Sequence, residues 1–411
     1  MKQNSVNGEK KQNKNKAIMI CHSIFIFLLA IASTIARGLI FHVDTITIAR
    51  NTISVGLFAL VTVIAFAFSY VKDVLLFDNK KMILRFYVPM EIGILVAVAF
   101  SLLPETTWMF LPIFVLLFLF SNALTGLSGG TMLLMITLFC SGITSVSVFS
   151  MYFIPGVLGI MLFSSLDEEC KYRVPLFISV MMQFLMLFSN DLLLQTQNLS
   201  VSTFILPGVN VLLGTIVLFL LLQVFCNQVI LPQKNLVQTI NDPEYPLMAA
   251  MREKSRNDYY HGIHTAYLAV RICSDLGMDV DSAKMAAYYQ KADLILGESD
   301  IETIMEEHRF PDSARKIIRQ LRELDHSNLT KETTVVIFCD SLITTLEYFA
   351  DKNTDPTAQY AQIVNRLVDK KIETGVLNHS MISVMEMNTL RKELLEEGLY
   401  YDFIRLNRNG R

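Results

Sequence analysis

The chain has 411 residues, 52% of them hydrophobic, with 35 Lys and Arg against 38 Asp and Glu and a net charge of −3. That balance excludes a nucleic-acid binder driven by charge, so DNA is not expected as a partner. The apolar residues crowd into the first half of the chain, which excludes a single soluble globule.

Residues 1–16 form a basic tail with Lys10, Lys11, Lys14 and Lys16. The apolar stretch that follows, Ala17 to about Ala36, is longer than a secretory signal core and no small-x-small cleavage site closes it. It is expected to be a retained first span. Further apolar runs fall near 52–71, 83–103, 108–125, 131–147, 149–165, 175–195 and 203–226. A span needs about 20 mostly apolar residues to cross about 30 Å of hydrocarbon. The segment 17–226 is therefore predicted to be a membrane domain of about eight helices. The fifth and sixth runs share one apolar block with a weak break at Ser141-Gly142. A tight hairpin and a re-entrant segment both fit, leaving the span count between seven and eight.

Loop charge sets the orientation. The tail, the loop holding Lys72, Lys80, Lys81 and Arg85, and the loop holding Lys171 and Arg173 are basic, whereas the alternate loops carry only Arg50. An even span count places every basic loop and both termini in the cytoplasm, with the chain multi-pass in the inner (cytoplasmic) membrane and lipid as its surroundings. The six cysteines, Cys21, Cys140, Cys170, Cys226, Cys273 and Cys339, are scattered without a CxxC pair or a zinc spacing. They read as small hydrophobes in a reducing compartment.

The candidates among the polar residues within the spans are Glu91 after Pro89, Asn190 and Asp191 near the end of the seventh, and Asn210 after Pro207-Gly208 in the eighth. Intramembrane polar groups tend to face the bundle interior. For Glu91 and Asp191, snorkelling to the interface is the plainer alternative. A helix broken at Pro207-Gly208 would free backbone groups to meet a ligand.

Residues 227–246 are predicted to be a linker broken by Pro232 and Pro243, and 247–411 a soluble domain. Helical patterns run from Leu247, then over His261–Leu276 (stopped by Gly277), Asp281–Ile295, Pro311–Leu324, Lys331–Tyr348, Gln359–Thr374 (stopped by Gly375) and Ser383–Glu397. With no alternating strand run, the predicted fold class is all-α throughout.

The run Tyr260-His261-Gly262-Ile263-His264-Thr265-Ala266, then Leu276-Gly277-Met278-Asp279 and Ala283 to Ala287, resembles the opening of an HD-superfamily phosphohydrolase domain. The similarity covers most of 247–397 and points to the bacterial seven-transmembrane HD receptors, which act as cyclic di-AMP phosphodiesterases. In such enzymes an adjacent His-Asp pair helps to hold two divalent metals, which activate a water and clamp the phosphoryl oxygens. The family's Tyr-Tyr-His-Asp run is here Tyr288-Tyr289-Gln290-Lys291, so Gln290 replaces the His and Lys291 the Asp. Lys has no lone pair to offer a metal and is cationic. The paired histidines of the family's Pro-led helix are replaced in Ile317-Ile318-Arg319-Gln320-Leu321-Arg322, while the closing Asp survives in Cys339-Asp340-Ser341.

The resemblance therefore leaves His261 and Asp340 as remnant ligands, with His264 one turn away and His308 and His326 candidates by type alone. Metal sites use three or more protein ligands, so no catalytic residue and no cofactor are expected. The remnant site is taken as His261, His264, Gln290, Lys291 and Asp340. His261 also has a plainer role as an interior histidine bonded to a carbonyl, and Asp340 needs a partner, for which Lys291 or Arg322 is suited. The function implied is a membrane-bound signalling or scaffold protein that binds a cyclic dinucleotide or a partner without hydrolysis, with a homodimer suggested by the family. The alternative is an active phosphodiesterase with rewired ligands and Mn or Fe. The family places a large extracytoplasmic domain after its first span, whereas only 41–51 stand there in this chain.

Overall fold

The computed structural model describes residues 2–72, 74–76, 83–143, 145–164, 166, 170–194, 201–297, 300–322, 328–352 and 359–396. The fold is all-α. The sole β feature among the described residues is an isolated parallel bridge between Leu329 and Ser380. The chain divides into two compact units, Met1–Pro232 and Gln233–Arg411.

The first unit contains α1 (Lys2–Ile40), α2 (Thr45–Lys72), α3 (Leu84–Phe100), α4 (Phe110–Leu119), α5 (Ala123–Ser141), α6 (Val146–Phe163), α7 (Arg173–Leu194) and α8 (Val201–Phe225). Every predicted apolar run has its helix. Six stretches are long and apolar enough to cross a membrane: Asn15–Ile40, Thr45–Lys72, Ala123–Ser141, Val146–Phe163, Arg173–Asn190 and a helical stretch from Ile205 to Ile240. The unit is thus a multi-pass membrane bundle. α4 falls short of the predicted span, because its ten residues reach only about 15 Å, roughly half of the hydrocarbon thickness.

Local chemistry explains where these helices stop. Asn122 caps α5, its side chain accepting from the Thr125 N–H at 3.0 Å while its Nδ2 donates to Ser69 Oγ at 2.7 Å. The weak break at Ser141-Gly142 is a true helix end. Gly142 adopts φ 79°, and the Ile143 N–H returns to the Leu138 carbonyl at 3.1 Å, closing α5 with a left-handed cap. The predicted break at Pro207-Gly208 does not occur. Pro207 lies inside α8, in its second turn, where it deletes a single ladder bond.

α4 is gripped by glycines. A Cβ on Gly130 of α5 or on Gly156 of α6 would fall 2.5 or 2.6 Å from the Phe114 ring. One on Gly126 would stand 2.6 Å from the backbone Cα of Phe118. Small residues let helix backbones approach in this way where lipid supplies no hydrophobic drive.

The predicted linker 227–246 is largely helical. A π-turn over Cys226–Ile230 follows α8, with the Leu231 N–H bonding the Cys226 carbonyl, and α9 (Leu231–Ile240) continues from it. The wider turn lies just before Pro232, whose missing N–H would otherwise interrupt the ladder. Ile240 is fully buried in the core of the second unit, and its carbonyl accepts from the Tyr289 hydroxyl at 2.7 Å. The end of the predicted linker is thus built into the following domain.

The second unit continues with α10 (Pro246–Lys254), α11 (Arg256–Asp275), α12 (Val280–Tyr289), α13 (Ala292–Leu296), α14 (Ile301–Glu307), α15 (Asp312–Arg322), α16 (Lys331–Asp351), α17 (Tyr360–Glu373) and α18 (Val384–Glu396). α11 buries His261, Gly262, His264, Thr265, Leu268, Ala269 and Ile272, the spacing of one helical face. Where α11 meets α12, a Cβ on Gly262 would stand 3.4 Å from the carbonyl oxygens of Ala287 and Tyr288. The single helix predicted over Asp281–Ile295 is two helices broken at Gln290-Lys291. The first of them is capped by Asp279, whose side chain accepts from the Ser282 N–H at 3.0 Å.

Candidate functional site

Three elements of the second unit meet at His261. α11 carries the histidine and is started by Ser255, whose hydroxyl accepts from the Asp258 N–H. α16 carries Asp340. The break between α12 and α13 carries Gln290 and Lys291.

His261 is held from both sides. Its Nε2 lies 2.9 Å from Asp340 Oδ1, and its Nδ1 lies 2.9 Å from Glu347 Oε2. The Gln290 amide donates to the same Asp340 oxygen at 2.9 Å. Burial alone would lower the His261 pKa. The hydrogen bonds and negative charges of Asp340 and Glu347 outweigh it and raise the value to about 9. An imidazolium donates from both nitrogens, which matches its two acceptors. For Asp340, burial pushes upward, but the His261 hydrogen bond and charge, the Lys291 charge and the Gln290 amide together bring its pKa below the ordinary carboxylate value. Lys371 of α17 also feels Asp340. Burial lowers its pKa, partly offset by that carboxylate.

Asp340's direct partners are therefore His261 and Gln290. Lys291 acts on it through space, and Arg322 is committed elsewhere. Arg322 pairs with the buried Asp293 at 2.5 Å, because Asp293 opens the short helix α13 and lies closer to it. Arg322 also reaches the Gln290 carbonyl at 3.4 Å, so it ties down the break that presents Gln290 and Lys291. His264 is buried, and its ring stacks on Tyr260 with centroids 6.3 Å apart. His308 bonds the Tyr245 hydroxyl at 2.9 Å. His326 lies outside the described residues.

Sequence reasoning missed Glu347. It stands seven residues after Asp340 on α16, two helical turns along the same face, and that spacing is the signal that would have found it.

The donor set does not fit a pair of divalent ions. Both imidazole nitrogens of His261 are engaged by carboxylates, the Asp340 oxygen facing it also takes an amide N–H, and the nearby Lys291 is a side chain with no lone pair to offer an ion when charged. Among the described residues no group of three His, Cys, Asp or Glu side chains is arranged to hold a metal ion.

In the membrane unit, Glu91 is paired across helices. Its Oε1 lies 2.7 Å from His22 Nδ1 of α1, whose ring stacks on Tyr87 at 5.4 Å. Asn210 donates to the carbonyls of Thr106 at 2.7 Å and Trp108 at 2.9 Å, fixing the approach to α4. Asn190 accepts from Ser147. The backbone of Asp191 belongs to α7, and its side chain lies outside the described residues.

No protein-family model matches the chain, and no curated protein matches it. A solved structure similar to it is the crystal structure of the HD domain of the L. monocytogenes phosphodiesterase PgpH. The likeness covers 38% of this chain and 100% of that one, at 14% identity and a TM-score of 0.33.

Proposed function

We propose that the chain is a membrane-bound signalling or scaffold protein whose second unit is a degenerate HD-type phosphohydrolase domain that binds without cleaving. The observation that carries this reading is His261 locked between Asp340 and Glu347, with the Gln290 amide on the same Asp340 oxygen. A metal-dependent hydrolase needs those lone pairs for its ions, and here they are spent on one another. The residue motifs around His261, Gln290 and Asp340 supply the family likeness.

In this reading the membrane bundle lies in the inner membrane with both termini in the cytoplasm and takes the input. The second unit delivers the output by binding a cyclic dinucleotide, a partner protein or a second copy of the chain. Of Arg252, Lys254, Arg256 and Lys291, Arg252 is paired with Glu244 at 3.1 Å, which makes the other three the better candidates for phosphate.

The test uses the full chain purified in detergent. Incubated with Mn or Fe and then desalted, it should retain neither metal stoichiometrically, and cyclic di-AMP added to it should remain intact. Two ions retained per chain together with cleavage of the dinucleotide would overturn the proposal and restore a working hydrolase.

A further inference from the structure

One buried polar side chain in the membrane unit has no role in anything described so far. Gln183 of α7 is only 5% exposed, yet neither its Nε2 nor its Oε1 has a hydrogen-bond partner among the described residues. It stands ten residues into α7, about 15 Å from the start of that helix, at hydrocarbon depth. An amide there has no water to bond, so leaving both of its atoms unmet is costly.

The side chain does not face solid packing. It lines a small cleft of about 10 Å³, room for one water-sized group, within a groove open on one side, together with Met109, Val180, Asn210, Gly214 and Thr215. None of the residues lining the groove is charged. Asn210 is already committed through Nδ2 to the Thr106 and Trp108 carbonyls, and Thr215 donates to the Val211 carbonyl at 2.6 Å. Gln183 is therefore the group left to greet an occupant. Gly214 adds room, since a Cβ built there meets nothing within 4 Å.

The geometry points to a binding site for an uncharged, lipid-soluble alcohol. The lining holds nothing to balance a phosphate, an ammonium or a carboxylate, and a charged headgroup is excluded at this depth. The enclosed part, about 10 Å³, takes little more than one water-sized group, so only a small polar head enters it. A hydroxyl suits it because one small group both donates and accepts, meeting the Gln183 oxygen and nitrogen together. Its hydrocarbon tail leaves through the open side along the apolar walls. The site supplies the membrane half with a chemical input of its own, independent of what the second unit binds.

The chain contains a single tryptophan, Trp108, fully buried beside Met109 of the groove wall and bonded through its carbonyl to Asn210. Bromine quenches indole emission at short range, so Trp108 reports occupancy. A bromo-terminated hexanol added to the full chain in detergent should quench Trp108 saturably. Bromohexane, which lacks the hydroxyl, should quench only in proportion to its partitioning. Gln183→Leu keeps the size and removes the amide, while Gly214→Leu fills the groove at a position where the added Cβ meets no atom. Each variant should weaken the saturable quenching at least tenfold, with the Trp108 emission maximum before addition unchanged as the check on folding. If Gln183→Leu alters that maximum, Gly214→Leu decides alone. Unsaturable quenching of the unaltered chain, equal saturation by bromohexane, or variants that behave like the unaltered chain would each overturn the assignment, the first being the outcome if a second copy of the chain covers Gln183.

Discussion

At the residue scale the second unit turns on one imidazole. His261 donates to two carboxylates, and removing either end leaves the other charge partly buried and unpaired. Such losses cost more than the net worth of the pair. His261→Ala should destabilise the unit by about 3 kcal/mol, the low end for a buried pair because both carboxylates are partly exposed, read as faster hydrogen exchange of the α11 and α16 amides in the full chain. Asp340→Asn, which keeps shape but loses charge, should cost less. The pH dependence has a definite sign. His261 has a folded pKa of about 9 against an ordinary 6.5, so its contribution is complete below about pH 6.5 and is lost as pH rises through 9. The Asp340 pKa is lowered, so its contribution is present above its ordinary value of 3.8 and is lost as pH falls through the lower folded value. Protection of α11 should therefore be greatest between about pH 4 and 6.5 and decline toward pH 9. His261→Gln should abolish the alkaline decline, and a decline that survives the substitution would count against this assignment. The sequence grouped His261, His264, Gln290, Lys291 and Asp340 only through the resemblance to HD domains, and the fold brings His261, Gln290 and Asp340 into hydrogen-bond contact. The sequence did not show Arg322 turning to Asp293, since choice of partner depends on which carboxylate the fold brings nearer.

At the scale of single elements, the least expected helix is α4. Its sequence is apolar enough for a span, but Ser121 and Asn122 end it early, and glycines on both neighbours close around Phe114 and Phe118. The close approach at Gly126 is to backbone, which cannot swing aside. Gly126→Ala should therefore cost about 1–3 kcal/mol and lower the thermal stability of the detergent-solubilised chain. Ala at Gly214, where a Cβ meets nothing, should be nearly silent in the same assay. Helix ends were legible where chemistry marks them: Gly277 and Gly375 take φ 63° and 77°, as their positions after apolar faces suggest. The break at Gln290-Lys291 was not legible. No Gly or Pro stands there; at the break Arg322 reaches the Gln290 carbonyl and Asp340 accepts from the Gln290 amide. The helical stretch through Pro232 was also missed, because a π-turn absorbs the proline in a way that residue type does not announce.

For the whole molecule, the proposed sidedness, with both termini in the cytoplasm, has a direct test. An alkaline phosphatase fused after the second unit should be inactive and a fluorescent protein fused there bright. The reverse pattern would place the second unit outside the cytoplasm and remove it from contact with any cytoplasmic nucleotide. The bundle and the all-helical domain were both legible from hydropathy and helical period. The site's closure was legible only in part, since Glu347 belongs to no motif and is marked only by its seven-residue spacing from Asp340. Its membership has a mechanical outcome. Two acidic groups two turns apart on α16 clasp opposite edges of a single ring on α11, and the clasp works like a pin through two plates. Sliding α11 along α16 by one turn would pull the ring from both grips at once, so neither rod can ratchet past the other. Whatever motion the second unit makes carries these two helices as one piece and takes its slack from the segments around them.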